Sequence, residues 1–216
     1  MLPSRAWKRQ RFAGAQYREE HRKWYLGDSI SAGIGQGYTA FTPVQLAHAT
    51  AAIANDGIAF EPHLVQSIED SRTRETRPVE RHPPVSIPAK PEHLAVIRNA
   101  LVQVTKEGTS AGAFKDARYT SGGKTGTAQV FSLKGEEYKA HKVDERLRDH
   151  AWYIAYAPAD KPTIALAVLV ENGGFGAQAA APIARQGLDY TLLGLKRTEP
   201  APWMAGPGPD AEDESD

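Results

Sequence analysis

The run Ser121-Gly122-Gly123-Lys124-Thr125-Gly126-Thr127-Ala128-Gln129-Val130 gathers residue types able to do chemistry. It reads as a strand, and strand alternation puts Thr125 and Thr127 on one side and Lys124 on the other. Gly126 has no side chain, so a ligand backbone could approach closely there. A lysine beside two hydroxyls offers one positive field and two short donors, which suits recognition of a carboxylate. A plain strand with an exposed lysine would carry the same triplet, so Lys-Thr-Gly by itself leaves both readings open.

Three other patterns fail on their own terms. Gly33-Ile34-Gly35-Gln36-Gly37-Tyr38 has tyrosine where a dinucleotide fingerprint needs its last glycine. Gly123-Lys124-Thr125 resembles the end of a phosphate-binding loop, but Arg118 stands where that loop needs glycine. The 7 histidines show no metal-ligand spacing. No metal or cofactor is therefore expected.

The elements that must hold the Lys-Thr-Gly strand are legible around it. Residues 42–57 predict a helix, with Thr42 as N-cap, Pro43 at the first position, Gln45 completing a capping box and Gly57 as the stop. Residues 58–90 contain two short apolar stretches and a charged, proline-rich segment, which reads as a surface excursion. Residues 91–107 predict a second helix that buries Leu94, Ile97, Leu101 and Val104. Gly108–Ala113 (GTSAGA) reads as a small-residue loop. Strands are expected within 117–130, at 151–157 and at 163–170, the last two forming an antiparallel hairpin. Both hairpin strands are almost continuously apolar, so both faces of the sheet should be covered. A charged excursion falls at 132–150 and a final helix at 176–195. Residues 1–28 carry seven Lys/Arg and read as a solvated, partly helical lead-in. Residues 196–216 are acidic and rich in Pro and Gly, and read as a disordered tail.

Composition narrows the function classes. In 216 residues, Lys+Arg and Asp+Glu both number 26. That balance argues against a nucleic-acid binder with a broad basic surface. With no cysteine, disulfides and thiolate chemistry are excluded. No apolar stretch is long enough to span a membrane, and the basic opening residues do not read as a signal peptide.

Longer strings settle the reading of Lys-Thr-Gly. K-[TS]-G is one of the signature elements of penicillin-binding proteins and class A β-lactamases. Gly27–Tyr38 (GDSISAGIGQGY), Thr42–Leu46, Asn55-Asp56-Gly57, Gly123–Phe131 (GKTGTAQVF), Ala140–His150 and Val170–Gly174 accompany it in order. Residues 3 to 195 thus resemble the transpeptidase domain of the class B, elongation-type penicillin-binding proteins, the penicillin-binding protein 2 family. The resemblance implies an α+β fold, part of the penicillin-binding-protein and serine β-lactamase architecture, with three strands of an antiparallel sheet flanked by helices. It implies a serine D,D-transpeptidase that cross-links peptidoglycan peptide stems and is acylated by β-lactams. Lys124 would supply positive potential for proton transfer. Thr125, Gly126 and Thr127 would bind the carboxylate of substrate or penicillin, and the Thr127 N–H would serve the oxyanion.

One element of that pattern is not found. The only literal S-x-x-K is Ser121–Lys124, whose lysine is the Lys-Thr-Gly lysine and whose two glycines do not open a helix. No S-x-N appears upstream. The expectation is a C-terminal part of the transpeptidase domain over residues 1–195, with the tail beyond, that lacks its nucleophile and is inactive alone. The resemblance also implies a glycosyltransferase partner in the elongation complex and the periplasmic face of the inner membrane. Two alternatives stand beside it. One is a non-catalytic module or half-domain that complements a separately encoded N-terminal part; the other is a β-lactamase or D,D-carboxypeptidase relative.

Overall fold

The computed structural model of the chain describes residues 3–130 and 144–195. The expected tail, and most of the charged excursion at 132–150, lie outside those residues. The chain divides into two units, Met1–Thr42 and Pro43–Asp216.

The first unit is built from α1 (Arg5–Arg11), a 3-10 turn (Glu19–Arg22) and α2 (Leu26–Gly33). The structure corrects the solvated reading of its charges at Lys8, which is only 3% exposed. Its Nζ donates to Asp28 Oδ2 at 2.6 Å and lies 5.3 Å and 5.0 Å from the ring centres of Tyr25 and Tyr38. Aromatic rings and a carboxylate together replace the water that an ammonium loses on burial. Asp28 also accepts from the Tyr25 N–H at 2.7 Å and so caps α2. Burial pulls the Lys8 pKa down. The Asp28 hydrogen bond and charge, with the Tyr38 hydroxyl close by, outweigh that and raise it. The Asp28 carboxyl is held low by its hydrogen bonds from Lys8 and the Tyr25 N–H.

The second unit opens with α3 (Pro43–Ala54). Gly57 ends it at φ +85°, a left-handed position where a side chain would be strained. The excursion is two small antiparallel pairs. β1 (Ile58–Ala59) pairs with β4 (Val85–Ser86), and β2 (Ser67–Glu69) pairs with β3 (Thr76–Pro78). Asp70 Oδ1 accepts from the Arg72 and Thr73 N–H groups and closes the turn between β2 and β3.

α4 (Pro91–Lys106) follows, and then the short α5 (Ala111–Phe114). The buried line of α4 runs through Leu94 and Thr105. Ile97, expected on that face, is 43% exposed. Positions 94, 98, 101 and 105 form one helical stripe, and residue 97 lies one step off it on the solvent flank.

The main sheet has the order β5-β6-β7, from β5 (Gly122–Ala128), β6 (His150–Ala157) and β7 (Ile164–Val170), all antiparallel. α6 (Gly176–Leu193) covers one face with Ala180, Ala181, Ala184 and Leu188 against Ala151, Tyr153, Ala155 and Ala157. Tyr156, pointing to the opposite face, donates to the Arg98 carbonyl of α4. Expected double coverage therefore holds only in part for β6, whose second face buries Tyr156 and leaves His150, Trp152 and Ile154 half-buried. Every residue of β7, by contrast, is only half-buried. Among the described residues β7 pairs with β6 alone, so its outer edge is open.

Candidate active site

β5 brings the Lys-Thr-Gly residues to an edge. Register pairs Gly123 with Ala155, Thr125 with Tyr153 and Thr127 with Ala151, so both threonines share the α6 side. Lys124 pairs with Ile154 on the opposite face, as alternation requires. Its four-carbon stem then curls back around the strand. Nζ donates to Thr125 Oγ1 at 3.2 Å and to the Thr125 carbonyl at 3.1 Å. The sequence separates Lys124 from Thr125 by face; the structure joins them through the lysine's length. Lys124 is exposed, and Thr125, Gly126 and Thr127 are half-buried. These four expected site residues therefore sit together along one reachable strand.

The strand can lie this close to its neighbours because it lacks side chains where they press. A Cβ at Gly123 would collide with the Tyr153 ring, 2.7 Å from its Cζ. A Cβ on Gly176, the first residue of α6, would run into the Trp152 carbonyl and the Gly126 backbone. The helix start therefore rests directly on the site strand and its neighbour.

Sequence reasoning missed the loop that braces β5. Thr109 Oγ1 lies 3.2 Å from Thr125 Oγ1. Next to it, Ser110 is 1% exposed, accepts from Tyr153 Oη at 2.8 Å and donates to the Val104 carbonyl at 3.0 Å. The Tyr153 ring stacks on Phe114 of α5, with centres 5.9 Å apart. Burial pushes the Tyr153 hydroxyl up to about 12, so it stays neutral and donates. The small residues of GTSAGA mark a loop, but nothing local in them says that Thr109 meets a residue 16 positions on.

A second brace stands at the far end of the strand. Asp149 Oδ1 accepts from the Val130 N–H at 3.2 Å, and its carbonyl accepts from the Gly174 N–H at 2.8 Å. Burial raises the Asp149 pKa, against the pull of the Val130 N–H. Asn172, at φ +55°, donates from Nδ2 to the Arg146 and Arg148 carbonyls. These bonds hold the turn after β7 against the start of β6.

Ser121, the serine of the literal S-x-x-K, is 3% exposed. It sits at the head of a strand, its carbonyl accepting from Thr105 Oγ1 at 2.6 Å. Lys124 turns away from it toward Thr125. Among the described residues no three His, Asp or Glu side chains group to hold a metal ion.

The K-T-G triplet carried by this rim strand is a signature element of penicillin-binding proteins and class A β-lactamases. The chain belongs to the family described as the penicillin binding protein transpeptidase domain, whose model matches residues 12–189. It is 41% identical over 193 residues to the peptidoglycan D,D-transpeptidase MrdA of Haemophilus influenzae, covering 88% of this chain and 28% of that protein. Against Escherichia coli K12 MrdA the identity is 38% over 201 residues, with 92% of this chain and 30% of that protein covered. Among solved structures, Pseudomonas aeruginosa penicillin-binding protein 2 in complex with WCK 5153 superimposes with a TM-score of 0.67 at 34% identity, over 88% of this chain and 36% of that one. Helicobacter pylori penicillin-binding protein 2 in complex with MreC gives 0.66 at 26% identity, over 90% and 32%. The chain thus spans less than a third of the length of these curated relatives.

Proposed function

We propose that these residues form the K-T-G wall of a serine D,D-transpeptidase site, with the nucleophile supplied by polypeptide outside this sequence. The joined Lys124–Thr125 pair on the open rim of β5 carries the reading. In it, the side chains of Thr125 and Thr127 and the backbone at Gly126 receive the terminal carboxylate of a peptide stem or of a β-lactam. Lys124 adds the positive field that draws that anion and favours proton transfer at a neighbouring hydroxyl. The Thr127 N–H is one donor to the oxyanion of the tetrahedral intermediate. The chain supplies electrostatics and positioning here, and the covalent step, serine attack with release of D-alanine, occurs on the missing group. Burial of Ser121 supports excluding it as that group.

By the same resemblance the working enzyme cross-links peptide stems at the periplasmic face of the inner membrane. Elongation-complex proteins, a glycosyltransferase among them, are its partners; the Helicobacter relative is solved in complex with MreC. Among the described residues no helix is long and apolar enough to cross a membrane. The open edge of β7 favours a second reading, a half-domain that becomes active when a separate N-terminal part adds its strands.

Labelling the purified chain with a fluorescent penicillin tests the proposal. The expected result is no covalent band. A band that survives denaturation and disappears in a serine variant would place the nucleophile inside this sequence and overturn the proposal.

A further inference from the structure

Thr125 can serve a carboxylate only as a donor, because a carboxylate only accepts. A threonine hydroxyl has one proton and two lone pairs, and local acceptors compete for that proton. The structure fills one lone pair with the Lys124 ammonium at 3.2 Å. Among the described residues its other hydrogen-bonding neighbour is Thr109 Oγ1, also at 3.2 Å. If Thr125 donated to Thr109, its single proton would be spent within the protein. If Thr109 donates, both lone pairs of Thr125 are occupied and its proton is left for whatever acceptor arrives.

We propose that Thr109 is a positioning residue, whose hydroxyl donates to Thr125 Oγ1 and so fixes Thr125 as a donor facing the ligand. Its loop has the stiffness this needs. Ser110 is buried and tied to both Tyr153 and the Val104 carbonyl, and Phe114 stacks on the same tyrosine. Tyr153 is also the register partner of Thr125. The loop and the strand are thus referenced to one buried ring, and Thr109 cannot drift relative to Thr125 without breaking those contacts. The proposal rests on the carboxylate reading of Thr125, but its central claim about the hydroxyl pair can be tested without it.

The test uses the isotope-labelled 216-residue chain, with Thr109→Val and Thr109→Ser. Two quantities are read by nuclear magnetic resonance. One is the Thr125 χ1 rotamer from three-bond couplings. The other is the shift of the Thr125 and Thr127 amides on titration with N-acetyl-D-alanyl-D-alanine, compared with the same dipeptide as its C-terminal amide. Thr109 is exposed, so valine, which has the same shape without the hydroxyl, should leave the melting temperature unchanged. The expected result is rotamer averaging at Thr125 in Thr109→Val. Affinity for the free-acid dipeptide should fall about fivefold, the weight of one hydrogen bond, and Thr109→Ser should restore both. A Thr125 rotamer that stays fixed in Thr109→Val, or free-acid affinity that rises once Thr109 can no longer accept, overturns the proposal. If Thr109→Val frees the rotamer but the wild-type chain shows no shift that depends on the carboxylate, the positioning role stands and the carboxylate reading falls.

Discussion

At the scale of single residues, the site depends on a lysine that crosses from one face of its strand to the other. Strand alternation correctly assigns the direction of the Lys124 Cβ, but the position of its charge depends on four further carbons and on Thr125 as an acceptor. Lys124→Met keeps much of that length and removes the charge. It should weaken binding of the free-acid dipeptide by about tenfold or more, the range for a hydrogen bond to a charged group, while the amide form is unaffected. Equal loss for both dipeptides would mean that the variant has disturbed the strand itself. The tyrosines beneath give a second expectation, set by pH. Tyr153 ionises near 10.0 in the unfolded chain and at about 12 when buried. The folded state therefore holds the proton more tightly, and stability is complete below pH 10 and declines as pH rises toward 12. Tyr156 is raised by burial too and adds to the decline. Denaturant midpoints should fall between about pH 9 and about pH 11, and Tyr153→Phe should flatten that fall. An unchanged slope in the variant would remove Tyr153 as a cause.

At the scale of elements, α6 is what holds the sheet in register behind the site, and it does so with a buried charge pair. Arg185 Nε donates to Asp189 Oδ1 at 2.8 Å and Arg185 Nη1 to the Ala113 carbonyl at 3.1 Å. Tyr119 Oη donates to the same Asp189 oxygen at 2.9 Å. The pair thereby clamps α5 and the approach to β5 onto α6. Arg185→Met would leave Asp189 buried without its cation, a loss of roughly 3–5 kcal/mol. The double variant Arg185→Met with Asp189→Leu should recover much of it, since two apolar residues need no solvation. Urea denaturation of the three proteins decides this, and a double variant no better than the single would count against the clamp. Gly176→Ala should cost about 1–3 kcal/mol by forcing the helix start off the Trp152 and Gly126 backbone. These features mark where the sequence stops being legible. The helices at 43–54 and 91–106 and the β6–β7 hairpin follow from capping residues, apolar spacing and a short proline turn, all local signals. Arg185 and Asp189 instead look like any i,i+4 surface pair, because their burial depends on Tyr119 and Ala113, about 70 positions away. The burial of Lys8 is illegible for the same reason, its partners Asp28 and Tyr38 being distant in sequence. Thr109 was missed because a contact between two hydroxyls leaves no periodic trace.

At the scale of the whole molecule, the decisive feature is asymmetric closure of the main sheet. β5 and β7 each pair with β6 alone among the described residues, but β5 is tied down by side-chain bonds and β6 buries its α6 face fully, whereas β7 is half-buried along its whole length. A strand of sequence Ile-Ala-Leu-Ala-Val-Leu-Val with an unpaired edge is a template for another strand. No charge, proline or bulge in β7 blunts that edge, the devices that sheets use to resist pairing. Ile58 and Phe60, beside the start of β7 in the lining of a cavity of about 300 Å³, are themselves 42% and 58% exposed. These exposed side chains and the unpaired edge both invite cover. The purified chain should self-associate with rising concentration and bind a dye that reports exposed apolar surface. Adding, as a separate polypeptide, the preceding part of a transpeptidase domain from an MrdA relative should suppress both and raise the unfolding midpoint. Sedimentation equilibrium and thermal unfolding measure this directly. A chain that stays monomeric, binds no dye and unfolds in one cooperative step would mean that β7 needs no further strand, and the half-domain reading would fall with it. Recovery of penicillin labelling in the mixture, with neither polypeptide labelled alone, would link the open edge to the proposed supply of the nucleophile from outside this sequence. The strands that complete the sheet would then come from the same segment that carries the serine to Lys124 and Thr125.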